Sequence, residues 1–214
     1  MDPRAHWEGV FRTKGERDMS WFQEEPTLSL ELVRSVTRGR GRVIDVGGGA
    51  SHLVDTLLDS GFEGVAVLDI SGAALDRAKR RLGGRAGGVR WIEADVTAVG
   101  SLGEFDVWHD RAVFHFLTDP VDRRRYVELA SRSLPPGGHL IIATFATDGP
   151  SECSGLEVCR YDRESLCAGL GEAFSLVRET TETHLTPWGS PQVFFYGVFR
   201  WETGEADHRP GGSR

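Results

Sequence analysis

The stretch Arg42-Val-Ile-Asp-Val-Gly-Gly-Gly-Ala-Ser51 constrains this chain most: an apolar, β-branched run closes on Asp45-x-Gly47-x-Gly49. That is the pattern of a buried strand opening into a turn whose backbone must pass close to a ligand, because glycine can take positive φ and carries no Cβ. The helix that follows presents unpaired N–H groups to the same point. A dinucleotide turn needs a third small residue at position 52 for close helix–strand packing, and this chain has His52 there. Asp45, two residues before the first glycine, makes the mouth of the turn negative, which suits a cation and opposes a phosphate.

Further strands follow in order. Val65-Ala-Val-Leu-Asp69-Ile-Ser71 reads as a second buried strand ending in an acid, placed where a carboxylate accepts two ribose hydroxyls. A third, Val89-Arg-Trp-Ile-Glu-Ala-Asp95-Val96, ends in an Asp-Val pair, and a fourth spans Phe105 to Asp110. Leu134-Pro-Pro-Gly-Gly138 then turns into the strand His139-Leu-Ile-Ile-Ala143. Near the end, Ala173–Thr183 and Gln192–Trp201 read as two strands joined through Pro187-Trp-Gly-Ser-Pro191.

Helical spacing lies between these strands. Thr27–Val36 carries Leu28, Leu32 and Val36 on one stripe, and Ser51–Asp59 carries Leu53, Leu57 and Leu58. Ser71 caps a helix to Leu82; Asp119-Pro120 supplies an N-cap and a first-turn proline for a helix to Leu134; Ser165–Gly171 allows one more. Gly83–Gly88 is expected to be a flexible connection. His6–Gln23 shows no periodicity and is expected to be a loop or short helix covering the site.

This ordered set resembles the class I S-adenosylmethionine-dependent methyltransferases, in particular small stand-alone bacterial-type members, over roughly residues 40 to 200. The resemblance implies an α/β fold: a Rossmann-like, seven-stranded, mostly parallel sheet with a C-terminal antiparallel hairpin and helices on both faces. The expected organisation is one domain over 1–202, with residues 1–26 as a lid and 203–214 as a disordered tail. S-adenosylmethionine, with its sulfonium and ammonium, matches the cation preference read from Asp45. The implied donor site comprises Trp21, Asp45, Gly47, Gly48, Gly49, Asp69, Ile70, Asp95, Val96 and Asp110, with Asp95-Val96 on the adenine.

For the acceptor, Phe22, Arg111, His115, Cys153, Arg160 and Trp188 are the candidate contacts, Lys14 is a further possible anchor, and His115 is the candidate catalytic base. Each has a structural alternative: a hydrogen-bonded histidine, an arginine paired with Asp110 or Asp119, packed thiols, core aromatics. Methyl transfer is an in-line displacement that needs mainly collinear placement, so a thiolate or selenolate needs no base, whereas an amine or hydroxyl does. Asp110-Arg-Ala-Val113 departs from the Asn-Pro-Pro-Tyr of relatives that methylate amide or base nitrogen. Trp21-Phe-Gln23 and Thr186-Pro-Trp-Gly189 resemble a group of small stand-alone methyltransferases that includes some acting on sulfur or related soft atoms. The expected acceptor is a small molecule with sulfur or selenium; protein lysine is the alternative. An NAD(P)-dependent oxidoreductase or a non-catalytic cofactor-binding module is the alternative of another class.

Composition sets the remaining bounds. The chain has 214 residues, enough for one packed α/β domain. A net charge of −7 argues against general nucleic-acid affinity, and Arg123-Arg-Arg125 reads as a solvated helical face. No stretch approaches the roughly 20 apolar residues that span a bilayer, so a cytoplasmic monomer or homodimer is expected. Cys153, Cys159 and Cys167 match no disulfide framework or metal-ligand spacing, and no metal is expected.

Overall fold

A computed structural model describes residues 2–202. The tail expected over 203–214 lies outside them. A seven-stranded sheet runs in the order β3-β2-β1-β4-β5-β9-β8. Its strands are β1 (Arg42–Val46), β2 (Gly64–Asp69), β3 (Val89–Glu93), β4 (Val107–Arg111), β5 (His139–Phe145), β8 (Phe174–Leu185) and β9 (Pro191–Trp201). The first five are mutually parallel; β9 is antiparallel to both β5 and β8. This is the Rossmann-like sheet with a closing antiparallel pair that the sequence implies. Strand order reverses at β1, which lies between β2 and β4, so a crevice opens at the carboxyl ends of those strands.

Helices α2 (Thr27–Thr37), α3 (Leu53–Asp59) and α4 (Gly72–Leu82) pack Leu32, Leu57 and Leu75 on one face of the sheet. On the other, α5 (Pro120–Ser133) and α6 (Arg163–Leu170) bury Tyr126, Leu129 and Leu166. Adjacent β1 residues serve opposite layers, Val43 the first and Ile44 the second, so the strand is apolar throughout rather than alternating. Caps sit where side-chain oxygens can meet free amides: Ser71 Oγ accepts from Ala74 N at 3.2 Å, and Asp119 accepts from Val121 N at 2.7 Å.

Two local expectations need correction. The segment read as a loop or short helix from His6 begins as a full helix, α1 (Pro3–Thr13), capped by Asp2, whose carboxylate accepts from Arg4 N at 3.0 Å. Its cue, an N-cap aspartate followed by proline, is the same one that starts α5. Gly83–Gly88 forms a 3-10 turn rather than an open linker. A small hairpin, β6 (Glu152–Cys153) with β7 (Leu156–Glu157), adds a flap after β5. Its turn residues, Ser154 and Gly155, both have positive φ, as a two-residue hairpin turn requires.

Candidate active site

A cavity of about 370 Å³ occupies the crevice. Its floor is the carboxyl end of the parallel sheet: Val46 and Gly47 after β1, Leu68 to Ile70 after β2, Ala94 to Thr97 after β3. Its roof is α1 with the segment around Trp21. The far wall comes from the turn after β4, Phe145 of β5, Cys153, Leu156 and Glu157 of the flap, and Phe194 of β9. A smaller recess of about 60 Å³ lies against Ser29, Asp45, Gly47, Gly48 and His109, and shares Gly47, Trp21, Phe11 and Arg111 with the large one.

The roof is fastened by charge. Glu8 accepts from Ser71 Oγ at 2.7 Å and Ala73 N at 3.1 Å, at the start of α4. These bonds hold its carboxyl below the usual glutamate range. Arg77 donates to the carbonyls of Phe11 and Lys14. The following segment is tied to the antiparallel strands by Gln23 to Glu182 at 3.0 Å and by His184 to the Ser20 carbonyl at 2.7 Å. Under this roof the rings interlock: Trp7 lies 5.0 Å from Phe116 and 5.8 Å from Trp21, both edge-on, and Phe145 lies 4.9 Å from Phe194.

The glycine turn meets the requirement for close approach. Gly47 has φ +67°, and a Cβ there would collide with Val113. At Gly48 a Cβ would fall 2.5 Å from Asp45 Oδ2, and at Gly49 it would fall 2.6 Å from Asp69 Oδ2. Asp45 is 3% exposed, and its Oδ2 has no hydrogen-bond partner among the described residues, although Oδ1 lies 2.7 Å from His109 Nδ1. A buried, unpartnered carboxylate oxygen beside a side-chain-free turn fits a ligand bearing a positive charge. These residues therefore fit S-adenosylmethionine.

Asp69, Ile70, Asp95, Val96, Gly47 and Trp21 all line the large cavity, Asp45 and Gly48 line the recess, and Gly49 backs Asp69. Burial pushes the Asp69 carboxyl up to about 7, with the nearby Asp45 charge adding to it and the Ser71 N–H opposing. Asp95 is oriented from its own loop, accepting from Thr97 N and Oγ1 at 2.8 and 2.7 Å.

Five expected contacts are corrected. Asp110 faces the opposite layer, accepting from Val113 N, Phe114 N and Tyr126 OH at 2.8, 3.1 and 2.6 Å, and touches neither cavity. His115 is fully buried behind Phe116 and Phe145; its Nδ1 accepts from Phe145 N at 3.4 Å. Burial, with Arg111 nearby, lowers its pKa to about 3, so it is a neutral, enclosed ring and not an accessible base. Trp188 sits 59% exposed at the tip of the β8–β9 hairpin. Arg160 and Lys14 likewise line neither cavity; Arg160 donates to the Gly149 carbonyl. Replacing His115 by Phe is accordingly expected to leave turnover within about threefold of the parent, since no accessible proton acceptor is removed; a steady-state assay in which kcat falls a hundredfold while the fold holds would reject this.

Arg111 does line both cavities; its Nε donates to Tyr196 OH and its Nη1 to the Trp21 carbonyl, both at 3.0 Å, while Nη2, 3.6 Å from Glu182, has no hydrogen-bond partner among the described residues. It also covers the Phe194 ring at 4.3 Å. Cys153 lines the far wall of the large cavity, and burial pushes its thiol up. Phe22 borders the recess, its ring edge-on to His52 at 5.3 Å. Sequence reasoning missed Trp7, Phe11, Phe116, Phe145 and Phe194 as cavity lining.

Comparison with known proteins agrees with this geometry. A methyltransferase domain family model matches residues 43–138, from β1 to the turn before β5. The eEF1A lysine and N-terminal methyltransferase of Danio rerio is 26% identical over 147 residues. That is 67% of this chain, which spans about a fifth of the relative's length (21%). Two solved structures share the fold at 18% identity. One, determined for the conversion of a disulfide bond into a thioacetal group during echinomycin biosynthesis, superposes with TM-score 0.76 over 93% of each chain. The other is the N-methyltransferase NodS of Bradyrhizobium japonicum in complex with S-adenosyl-L-homocysteine, with TM-score 0.71 over 94% of this chain and 99% of that one. The family model falls on the strands and glycine turn that build the crevice, and in fold and glycine turn the chain resembles the class I S-adenosylmethionine-dependent methyltransferases.

Proposed function

We propose that this enzyme methylates a small acceptor through a soft atom, sulfur or selenium. One observation carries the reading: the acceptor end of the cavity is a mainly aromatic wall, with Glu157 of the flap as its carboxylate, and the polar groups expected there, His115, Arg111 and Cys153, are not free to take a proton. His115 is enclosed, Arg111 is engaged, and Cys153 is held as the neutral thiol. His6, in the first turns of α1 that the Arg4–Glu93 pair fastens to the end of β3, also lines the cavity, and its Nε2 has no hydrogen-bond partner among the described residues. An acceptor that arrives with its lone pair available near neutral pH needs only to be held in line.

When bound, S-adenosylmethionine supplies a sulfonium methyl group as the electrophile. In this reading Asp69 accepts the ribose hydroxyls, Ile70 and Asp95-Val96 hold the adenine, and Asp45 Oδ2 receives the ammonium. Trp7, Trp21, Phe116 and Phe194 exclude water and face the positive charge. Cys153, with Leu156 and Glu157, trims the space left to the acceptor. The closed roof of α1 supports a small molecule over a protein side chain, and the echinomycin-pathway structure, concerned with a disulfide, supports sulfur. The Danio rerio relative supports the second reading, a protein nitrogen. Cys153, Cys159 and Cys167 are free thiols, in keeping with a reducing cytoplasm, and among the described residues no helix is long and apolar enough to cross a membrane.

The test is a panel of thiols, selenols, amines and phenols, with a cell lysate, incubated with radiolabelled donor. Label in a small thiol or selenol is expected; label confined to the protein fraction would overturn the proposal. Trp7→Ala should raise the acceptor KM about tenfold, roughly the loss of one buried ring contact of 1–2 kcal/mol, with kcat changed less. An unchanged KM would remove Trp7 from the acceptor site.

A further inference from the structure

Asp45 and His109 are directly opposed residues on the parallel strands β1 and β4. Asp45 Oδ1 lies 2.7 Å from His109 Nδ1, and His109 Nε2 lies 3.0 Å from Ser29 Oγ on α2. The three are 3%, 2% and 1% exposed. They form one polar line through an otherwise apolar layer, and it ends on an oxygen, Asp45 Oδ2, with no partner, at the edge of the small recess. A tie between β1 and β4 needs none of this, because the strands already share a backbone ladder. Buried ion pairs are also often no more stabilising than apolar residues of the same size. The cost of leaving Oδ2 without a donor is offset only if something cationic reaches it.

We propose that His109 is a positioning residue for donor binding: by donating from Nδ1 to Asp45 Oδ1, with Ser29 fixing the far side of the ring, it keeps the Asp45 carboxylate turned so that Oδ2 meets the ammonium of the donor's amino-acid end. The inference rests on the reading of Asp45 given above. Oδ1 is occupied by the ring, so the carboxylate cannot rotate away without losing a charge-assisted hydrogen bond. Ser29 lies in α2, three residues beyond the segment that includes Gln23 and Pro26 of the recess, so the same line joins the donor head to the covering segment.

Two ligands separate positioning from general support. S-adenosyl-L-homocysteine carries the amino-acid end; 5′-methylthioadenosine keeps the adenosine and sulfur but lacks it. Titration calorimetry of the full chain should show His109→Ala losing about 10- to 100-fold in affinity for the first, the scale of one hydrogen bond to a charged group, and less than about threefold for the second. His109→Gln, whose amide N–H can still donate to Asp45, should retain affinity within about threefold of the parent. Should His109→Ala not fold, Ser29→Ala carries the comparison, with a selective loss of about three- to tenfold expected. Parallel losses of both ligands, or no loss of either, would overturn the positioning role. Asp45→Asn distinguishes the two levels: if it leaves homocysteine-ligand affinity unchanged, the ammonium reading of Asp45 fails; if it lowers that affinity and the His109 variants do not, only the role of His109 fails.

Discussion

Asp69→Ala is expected to weaken S-adenosyl-L-homocysteine binding by a factor of about 10² to 10⁴. Two hydroxyls donating to one buried carboxylate amount to roughly 3–6 kcal/mol. The same residue sets a pH dependence. Burial holds the free carboxyl at about 7, and the hydroxyls bind its ionised form. Affinity should therefore climb about tenfold per pH unit below 7 and level off above it, and this slope should vanish in Asp69→Ala. Stability runs the other way. The folded pKa lies above the unfolded value of 3.8, so the contribution of Asp69 to stability is complete below about pH 4 and is lost as pH rises through about 7. Asp69→Asn should thus make the ligand-free protein more stable at pH 8 while binding the donor worse. Calorimetry across pH 5 to 8 reads both effects; a parent-like affinity in Asp69→Ala would take the residue out of the donor site.

Most of the sheet was legible because its strands are apolar on both sides and end in punctuation: Gly47 after β1, Ser71 after β2, and Pro135-Pro136-Gly137-Gly138 before β5. The same property hid the site. A strand buried on both faces shows no alternation, so nothing in Val107-Trp-His-Asp-Arg111 told which residues face the crevice. Parity decides it. Trp108 and Asp110 face Tyr126 and the α5 layer, while His109 and Arg111 face Asp45 and the recess. Choosing Asp110 and overlooking His109 was one error made twice, since either assignment fixes the other. The roof was missed differently. Asp2-Pro3 is a helix start, but mixed charges obscured the stripe of Trp7, Val10 and Phe11 behind it. The flap could not be read at all, because two-residue strands carry no periodic signal.

Asp110→Ala puts the parity argument at risk, because it predicts the opposite lesion from Asp69→Ala at a neighbouring strand end. Asp110 is fully buried and receives Val113 N, Phe114 N and Tyr126 OH, while Trp108 Nε1 donates to the Tyr126 oxygen at 2.9 Å. Burial raises its carboxyl to about 6, against the pull of those bonds, so at neutral pH it is an anion held by donors. Removing it strands three buried donors at about 1–3 kcal/mol each; allowing for relaxation, we expect a loss of roughly 3–5 kcal/mol and of about 10 °C in Tm. Asp110→Asn should lose about half of that, since one oxygen remains to accept and the amide N–H₂ faces donors. Affinity of the folded fraction for S-adenosyl-L-homocysteine should stay within about fivefold, reflecting only a looser turn at Val113 beside Gly47. Thermal denaturation followed by calorimetry below the transition separates the two quantities. A stable Asp110→Ala protein that no longer binds would place this carboxylate in the donor site after all, and the facing of β4 would have to be reversed, carrying His109 and Arg111 out of the crevice with it.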